Sequence, residues 1–567
     1  MVKRERGVRR VEPRSHSLVV RETGNRVGPF PREFKSLSRR HTSPNHNLHG
    51  GYKPATTVGD DPGHRRRWYA LMAVAVLLHV LAMSNSDLGL DAHVRLNAAM
   101  DDGEQGQDLA WGKLRVANST EQMPTNIHEY DGYIAPWSTS ETSVKTTAFV
   151  GVLAVACLAA LSPRWAAGGF VFNPMRAALV LFSPIFLFVS ARGYDEGMLA
   201  LIASLGAVGF LYNQGNLRHE RLLHVVMMAT SVLLLLGWKG FEGTFGIGAF
   251  VGTLIAGVSW TVLEDGRTGS FGDWLRHPWK MALTAALVVM LAVVMTGFVM
   301  QTGTFGIIAE RPLVFAVATA VASVNAVGLF LLVGFVLWPL LAERWSGLAK
   351  LRGAGPTMLA VYTAVLLTGV IAYIGALWTL ESDLWNRTLF ETVLVLGNNG
   401  RYATVVLVPL VLLLSWPSED VDAPSHSGGK PVAFGLSLLV PLMLFVAFHG
   451  QQLWSDDAGA WLTDSMDEDE SCFVMVAPET LAMHHLYVIK SSVDLTGDRG
   501  IDAYWRTAEH VDALLNSQNE CAGLVLVAPT EVFSPGNGWL LVHEESAPFT
   551  LSGGGDTGSW KVFRALA

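Results

Sequence analysis

The stretch SNSDLGLDAHVRLN (84–97) follows an apolar run and sets Asp87, Asp91, His93 and Arg95 within nine positions. Three later stretches carry residues of the same kinds. SARGYDEG (190–197) holds Arg192, Tyr194, Asp195 and Glu196, GWKGFEG (237–243) holds Lys239, and GNNGRYATVVLVPL (397–410) holds Arg401 and Tyr402. A carboxylate within hydrogen-bond reach of a hydroxyl can act as a general base. A guanidinium offers a phosphate a fork of donors, and an ammonium offers it a point charge. Gathered at one place, these residues suit a site that handles a phosphate and a hydroxyl. Singly, each has a plainer use. Arg192 and Lys239 can snorkel to headgroups, Asp195 and Glu196 can be a solvated helix start, and Tyr402 can be an interfacial anchor. His93 can equally be a structural histidine, and 84–97 a polar stop after a first anchor.

The elements that must position them are membrane helices. Of 567 residues half are hydrophobic and only 16% charged, too little charge to cover the cores of a soluble chain of this length. The apolar residues come in runs of about 17–25, enough to cross about 30 Å of hydrocarbon, where only paired backbone is tolerated. Eleven spans are expected: 68–84, 146–162, 176–191, 197–212, 221–237, 244–262, 281–300, 312–341, 357–378, 401–416 and 431–449. The eighth is long enough to be one tilted helix or two.

Basic residues set the orientation. Residues 1–67 hold sixteen Lys and Arg against six Asp and Glu, and their composition predicts a disordered cytoplasmic tail. The connections 162–176, 212–224, 264–280 and 342–356 also carry Arg and Lys, so they fall on the cytoplasmic side. The loop 85–145 and everything from about 450 then lie outside the cytoplasm, in the plasma membrane if the cell is prokaryotic. All four polar stretches reach that same outer rim.

Residues 451–567 read as a small α/β domain, with strands at 472–477, 485–490, 522–528, 538–544 and 559–566 and a helix at 501–518. Cys472 and Cys521 both fall there, where an oxidising compartment would preserve a disulfide between them. His484-His485 has no evident partner for a metal site, and no metal-ligand spacing occurs in the chain. A divalent cation is compatible with the rim but not implied. Apart from His79 and His224, the span centres hold almost no ionisable residue. Transporters usually place such groups at mid-membrane.

The order of these stretches resembles the GT-C-fold membrane glycosyltransferases, which include protein O-mannosyltransferases and lipid A aminoarabinose transferases. DLGLDAHVRLNAA stands where that superfamily carries an essential acidic residue after the first span. ARGYDEGMLALIASLGAVGFLY resembles its Arg and acidic pair at the fourth span, LLGWKGFEG its Lys-Gly element, and RYATVVLVPLVLLL its late Arg-Tyr. The likeness covers roughly residues 68–450. Two elements depart from it: the paired acidic motif is here Asp91-Ala92, and a His-Pro-Pro element is reduced to IAPW (134–137).

The resemblance implies a GT-C-like membrane domain over 68–450 and an enzyme that uses a polyprenyl-phosphate sugar. It would transfer the sugar to a hydroxyl of a protein, lipid or glycan acceptor outside the cytoplasm, with no part for nucleic acid. Asp91, or else Asp87, would be the base. Lys239, Arg401 and Arg192 would hold the donor phosphate, and His93, Tyr194, Asp195, Glu196 and Tyr402 would line the sugar or acceptor. Other readings are a lipid-linked oligosaccharide ligase or polymerase, and a non-catalytic transporter or flippase with an external sensor domain.

Overall fold

The structure is a computed structural model, and it describes residues 62–93, 96, 140–164, 169–239, 241, 243–266, 269–300, 303–334, 347–416, 429–450, 452–468, 470–495, 499–515, 523–549 and 558–566. Arg95, Cys521, nearly all of the 1–67 tail and most of the 85–145 loop lie outside these. Among the described residues nine helices are long and apolar enough to cross a membrane. The helices Pro174–Leu181 and Pro184–Ala191 make a tenth crossing if taken as one span bent by 60°. The bend falls where Pro184 follows Ser183, because the residue before a proline is held out of the helical region. The expected fourth span is the helix Glu196–Tyr212, at 17 residues shorter than the others. The chain is thus a polytopic α-helical membrane protein. Over the described part of the expected eighth span, a helix from Pro312 passes at Val324 into a π-helical stretch ending at Val333, and residues 335–341 lie outside the described residues.

The two ends of the bundle gather different connections. At one end Arg221 pairs with Asp265 and Glu264, and Arg276 Nε lies 2.9 Å from Glu264. The amide of Gly353 donates to the Arg276 carbonyl at 3.0 Å. At the other end the stretches around residues 90, 195, 239 and 401 meet. This alternation is what successive crossings require.

Helices Glu141–Ala160 and Glu196–Tyr212 touch through small residues. A Cβ added at Gly151 would lie 2.9 Å from the Gly197 carbonyl carbon, and one at Gly197 would lie 2.8 Å from the Ala148 carbonyl oxygen. Such contacts let helix backbones approach in lipid. They draw the start of the Glu196 helix into the bundle interior.

Two short strands, β1 (Leu161–Arg164) and β2 (Gly169–Phe172), pair antiparallel between the second and third crossings. The C-terminal domain is a five-stranded sheet of β3 (Cys472–Val476), β4 (Asp502–Arg506), β5 (Leu524–Val527), β6 (Trp539–Ser546) and β7 (Ser559–Ala565), in the order β4-β3-β5-β7-β6. Strand β3 runs parallel to β4 and β5, while β7 is antiparallel to β5 and to β6. Both faces of β3 and β5 are covered, hence the unbroken apolar runs. Two sequence expectations are corrected here. Residues 485–490 belong to a helix, Ala482–Asp494, not a strand. That helix lies between the sheet and the membrane part, so its apolar residues point both ways and mask the helical period. Residues 501–518 are not one helix: β4 comes first, then the short helix Val511–Leu515. Ala503 and Trp505 alternate into one core, and Asp494 fixes the strand entry by accepting from the amides of Arg499 and Ile501 at 3.1 and 3.0 Å. Cys472 is disulfide-bonded and Cys157 is free.

Candidate functional site

Asp91 lies on a helical turn that begins at Leu90, with the amides of Ala92 and His93 donating to the Gly89 carbonyl at 2.9 and 3.0 Å. The preceding turn is held from below. The Gly89 amide donates to the Arg192 carbonyl at 2.8 Å, and Arg192 Nη2 donates to the Leu88 carbonyl at 3.1 Å. Lys145 Nζ donates to the Ser86 carbonyl.

Arg401 is the centre of the site. It comes from a 3-10 helical stretch, Gly397–Val406, and only 3% of its side chain is exposed. Its Nε donates to Glu196 Oε1 at 2.5 Å, its Nη2 to Asp91 Oδ2 at 3.0 Å and its Nη1 to Asn399 Oδ1 at 3.2 Å. The guanidinium also lies over the rings of Tyr194 and Tyr402, 4.6 and 5.0 Å from their centroids, as a weakly hydrated planar cation can. Beside it Lys239 Nζ pairs with Asp195 Oδ2 at 3.2 Å and sits 4.5 Å from the Tyr402 centroid. Trp238 Nε1 donates to the same Asp195 oxygen at 2.6 Å. Tyr402 therefore bridges the two cations.

Seven of the expected residues thus converge: Asp91, Tyr194, Asp195, Glu196, Lys239, Arg401 and Tyr402. Their exposure sorts them. Asp91 is about a third open to solvent, whereas Glu196 is wholly enclosed. Glu196 stands as a counter-ion of Arg401, because its helix starts inside the bundle. Arg192 is completely buried, and its Nη2 braces the Leu88–Gly89 turn.

Asp87 and His93 lie elsewhere, in the gap beneath the C-terminal domain. His93 Nδ1 is 2.7 Å from Ser491 Oγ, and its Nε2 is 3.5 Å from Asp456. Burial, then the carboxylates of Asp456 and Glu141, push the Asp87 carboxyl up to about 6. Asp457 is pushed up to about 6 by burial, then by Glu545, Asp456 and Asp87. A carboxyl whose folded pKa is raised contributes stability that is complete below its unfolded value and is lost as pH rises through 6. Asp87→Asn, uncharged throughout, should therefore melt at a higher temperature than wild type at pH 7.5, by an excess that shrinks as the pH falls toward 4, read by thermal unfolding in one detergent.

Three contributors went unread in the sequence. Trp238 and Asn399 stand within quoted stretches but carry no charge to draw notice. His484, from the C-terminal domain, places its Nε2 3.6 Å from Asp91 Oδ1. Among the described residues no group of three His, Cys, Asp or Glu side chains is placed to hold a metal ion.

Gly89 is required by this packing. A Cβ there would fall within the Tyr194 ring, 2.7 Å from Cε1, and that ring lies against Arg401. Gly89→Ala should cost about 1–3 kcal/mol by overpacking and lower activity with it, measured as a fall in Tm and in turnover.

The fold and the site define a polytopic helical membrane protein with a C-terminal α/β domain and a buried ionic network at the end of the bundle that carries this domain. No protein-family profile matches the sequence, and no curated protein matches it. Among solved structures the chain is similar to the crystal structure of ArnT from Cupriavidus metallidurans in the apo state. Identity is 10%, the match covers 88% of this chain and 98% of that one, and the TM-score is 0.32.

Proposed function

We propose that this chain is a membrane glycosyltransferase that moves a sugar from a polyprenyl-phosphate donor to an acceptor hydroxyl outside the cytoplasm. The observation that carries the reading is the convergence of Asp91, Glu196, Arg401, Asp195 and Lys239 from four distant stretches onto one network at one end of the bundle. A donor with a lipid tail can approach such a rim through the bilayer. A hydroxyl nucleophile needs a base, and the departing phosphate needs cations where its charge develops.

Asp91 is the base, because it is the accessible carboxylate of the network. Arg401 and Lys239 receive the phosphate. As it stands both cations of the network are engaged, Lys239 with Asp195 and Arg401 with Asp91 and Glu196. A phosphodiester entering here therefore needs a vacated donor. Arg401 Nη2 becomes one if the phosphate takes the place of Asp91, which frees that carboxylate to turn toward the acceptor. Glu196 holds the guanidinium in place during the exchange, and the Tyr194 and Tyr402 rings keep it flat.

The test is release of polyprenyl phosphate by the purified protein from a panel of polyprenyl-phosphate sugars, with acceptor-rich membrane extract. Release that depends on both sugar and acceptor supports the reading. Its absence across the whole panel removes it.

A further inference from the structure

The helix Ala482–Asp494 lays one stripe on the rim. Positions 484, 488, 491 and 495 follow the i, i+4, i+7, i+11 spacing of a single helix face. His484 Nε2 is 3.6 Å from Asp91 Oδ1, and Ser491 Oγ is 2.7 Å from His93 Nδ1. Val488 shares a cluster with Leu90, and Leu495 packs against Leu88 and Ala92. The neighbouring histidine is turned away: His485 Nδ1 lies 2.9 Å from Ser455 Oγ, and its ring is 5.0 Å from that of Trp454. Just before the helix, Leu481 adopts a left-handed conformation, φ +56°, uncommon for a non-glycine residue. Its buried side chain joins Leu90, Trp385, Leu453 and Val488, so rim packing holds the turn from which His484 projects.

We propose that His484 is a positioning residue of the reaction centre: its Nε2 faces Asp91 Oδ1 and steadies that carboxylate once Arg401 Nη2 has turned to the phosphate. This rests on the transferase reading above and makes the C-terminal domain part of the active site. In the step, the acceptor oxygen bonds to the anomeric carbon. The bond from that carbon to the phosphate oxygen breaks, and its electron pair leaves on polyprenyl phosphate. The hydroxyl proton passes to Asp91.

A phosphodiester leaves as a phosphate monoester, which carries about −1.5 to −2 at neutral pH. The proton that Asp91 takes up offsets that change within the site. Burial lowers the His484 pKa below its usual 6.5, with Asp91 opposing, so the ring is neutral at pH 7 and meets Asp91 as a donor through Nε2–H. Among the described residues, the charged and titratable groups facing it are Asp91, with Arg401 behind, and His485.

His484→Ala should lower kcat by up to about 10²-fold, the cost of a misplaced reacting group, and leave the donor KM near wild type. His484→Gln can still donate to Asp91 but does not titrate. It should recover part of the turnover at neutral pH and lose the histidine inflection from the acid limb of the pH–rate profile. Independently of activity, histidine C2-hydrogen exchange followed by mass spectrometry reads the His484 pKa. Asp91→Asn should move it further down by removing the carboxylate. An active wild type with both His484 variants at its kcat and with its acid limb overturns this role alone, as does an exchange profile unchanged by Asp91→Asn. A wild type inactive on every donor overturns the transferase reading and this role with it.

Discussion

Asp91→Asn is expected to lower sugar-dependent release of polyprenyl phosphate by about 10²–10⁴-fold, the range for loss of a general base, with little change in donor KM. An asparagine oxygen can accept from Arg401 Nη2 as the carboxylate does at 3.0 Å, so the network should keep its shape. What is lost is the oxygen able to take a proton. Wild type and variant should therefore elute alike on gel filtration and melt alike, and differ in turnover. Release at the wild-type rate would take Asp91 out of the chemistry. Asp87 would not be the natural replacement, since it sits among Asp456, Glu141 and Lys145 in the gap under the C-terminal domain. Paired loss of activity and of folding would instead assign Asp91 a structural part as an Arg401 counter-ion.

The two carboxylates also show what the sequence could and could not tell. Asp87 and Asp91 are four apart, which would put them on one face had the segment been helical throughout. The helical turn starts only at Leu90, after the Leu88–Gly89 turn braced by Arg192, so the two diverge. Length and hydropathy were sufficient to locate the crossings, because hydrocarbon thickness fixes how many apolar residues are needed. Those crossings alone placed residues 91, 195, 239 and 401 at one level. They could not set how each helix is rotated, because that depends on neighbours distant in sequence. Hence Arg192 and Glu196, expected at an open rim, are enclosed, Arg192 beneath a turn and Glu196 by the close approach at Gly151 and Gly197.

His484 was invisible for a related reason. Its partner lies almost 400 positions earlier, and the contact arises only when the Ala482–Asp494 helix docks on the rim. The same docking made that helix apolar on opposite sides, and so obscured its period. A search for polar residues recurring at helical spacing, such as His484 and Ser491, is the signal that could have drawn attention to the face.

Glu196→Gln is expected to destabilise the protein by about 3–5 kcal/mol, the usual cost of removing one member of a buried ion pair. Both partners are enclosed, at 0% and 3% exposure, with 2.5 Å between Arg401 Nε and Glu196 Oε1. The glutamine preserves volume and can still accept a hydrogen bond, so the loss reads the charge. Asp91 cannot fully replace it, because it already holds a different guanidinium nitrogen and is partly screened by solvent. The control is the pair of changes together. If the penalty comes from stranding a buried cation, Glu196→Gln with Arg401→Met should cost less than the sum of the two single changes. The single variant should also lose activity, since a guanidinium no longer fixed by Glu196 cannot be presented to the phosphate in one geometry. Thermal unfolding in a single detergent, with release measured on the folded fraction, separates the two effects. A Tm equal to wild type would mean that Asp91 and Asn399 suffice for Arg401, and would leave Glu196 with an electrostatic part in the reaction alone.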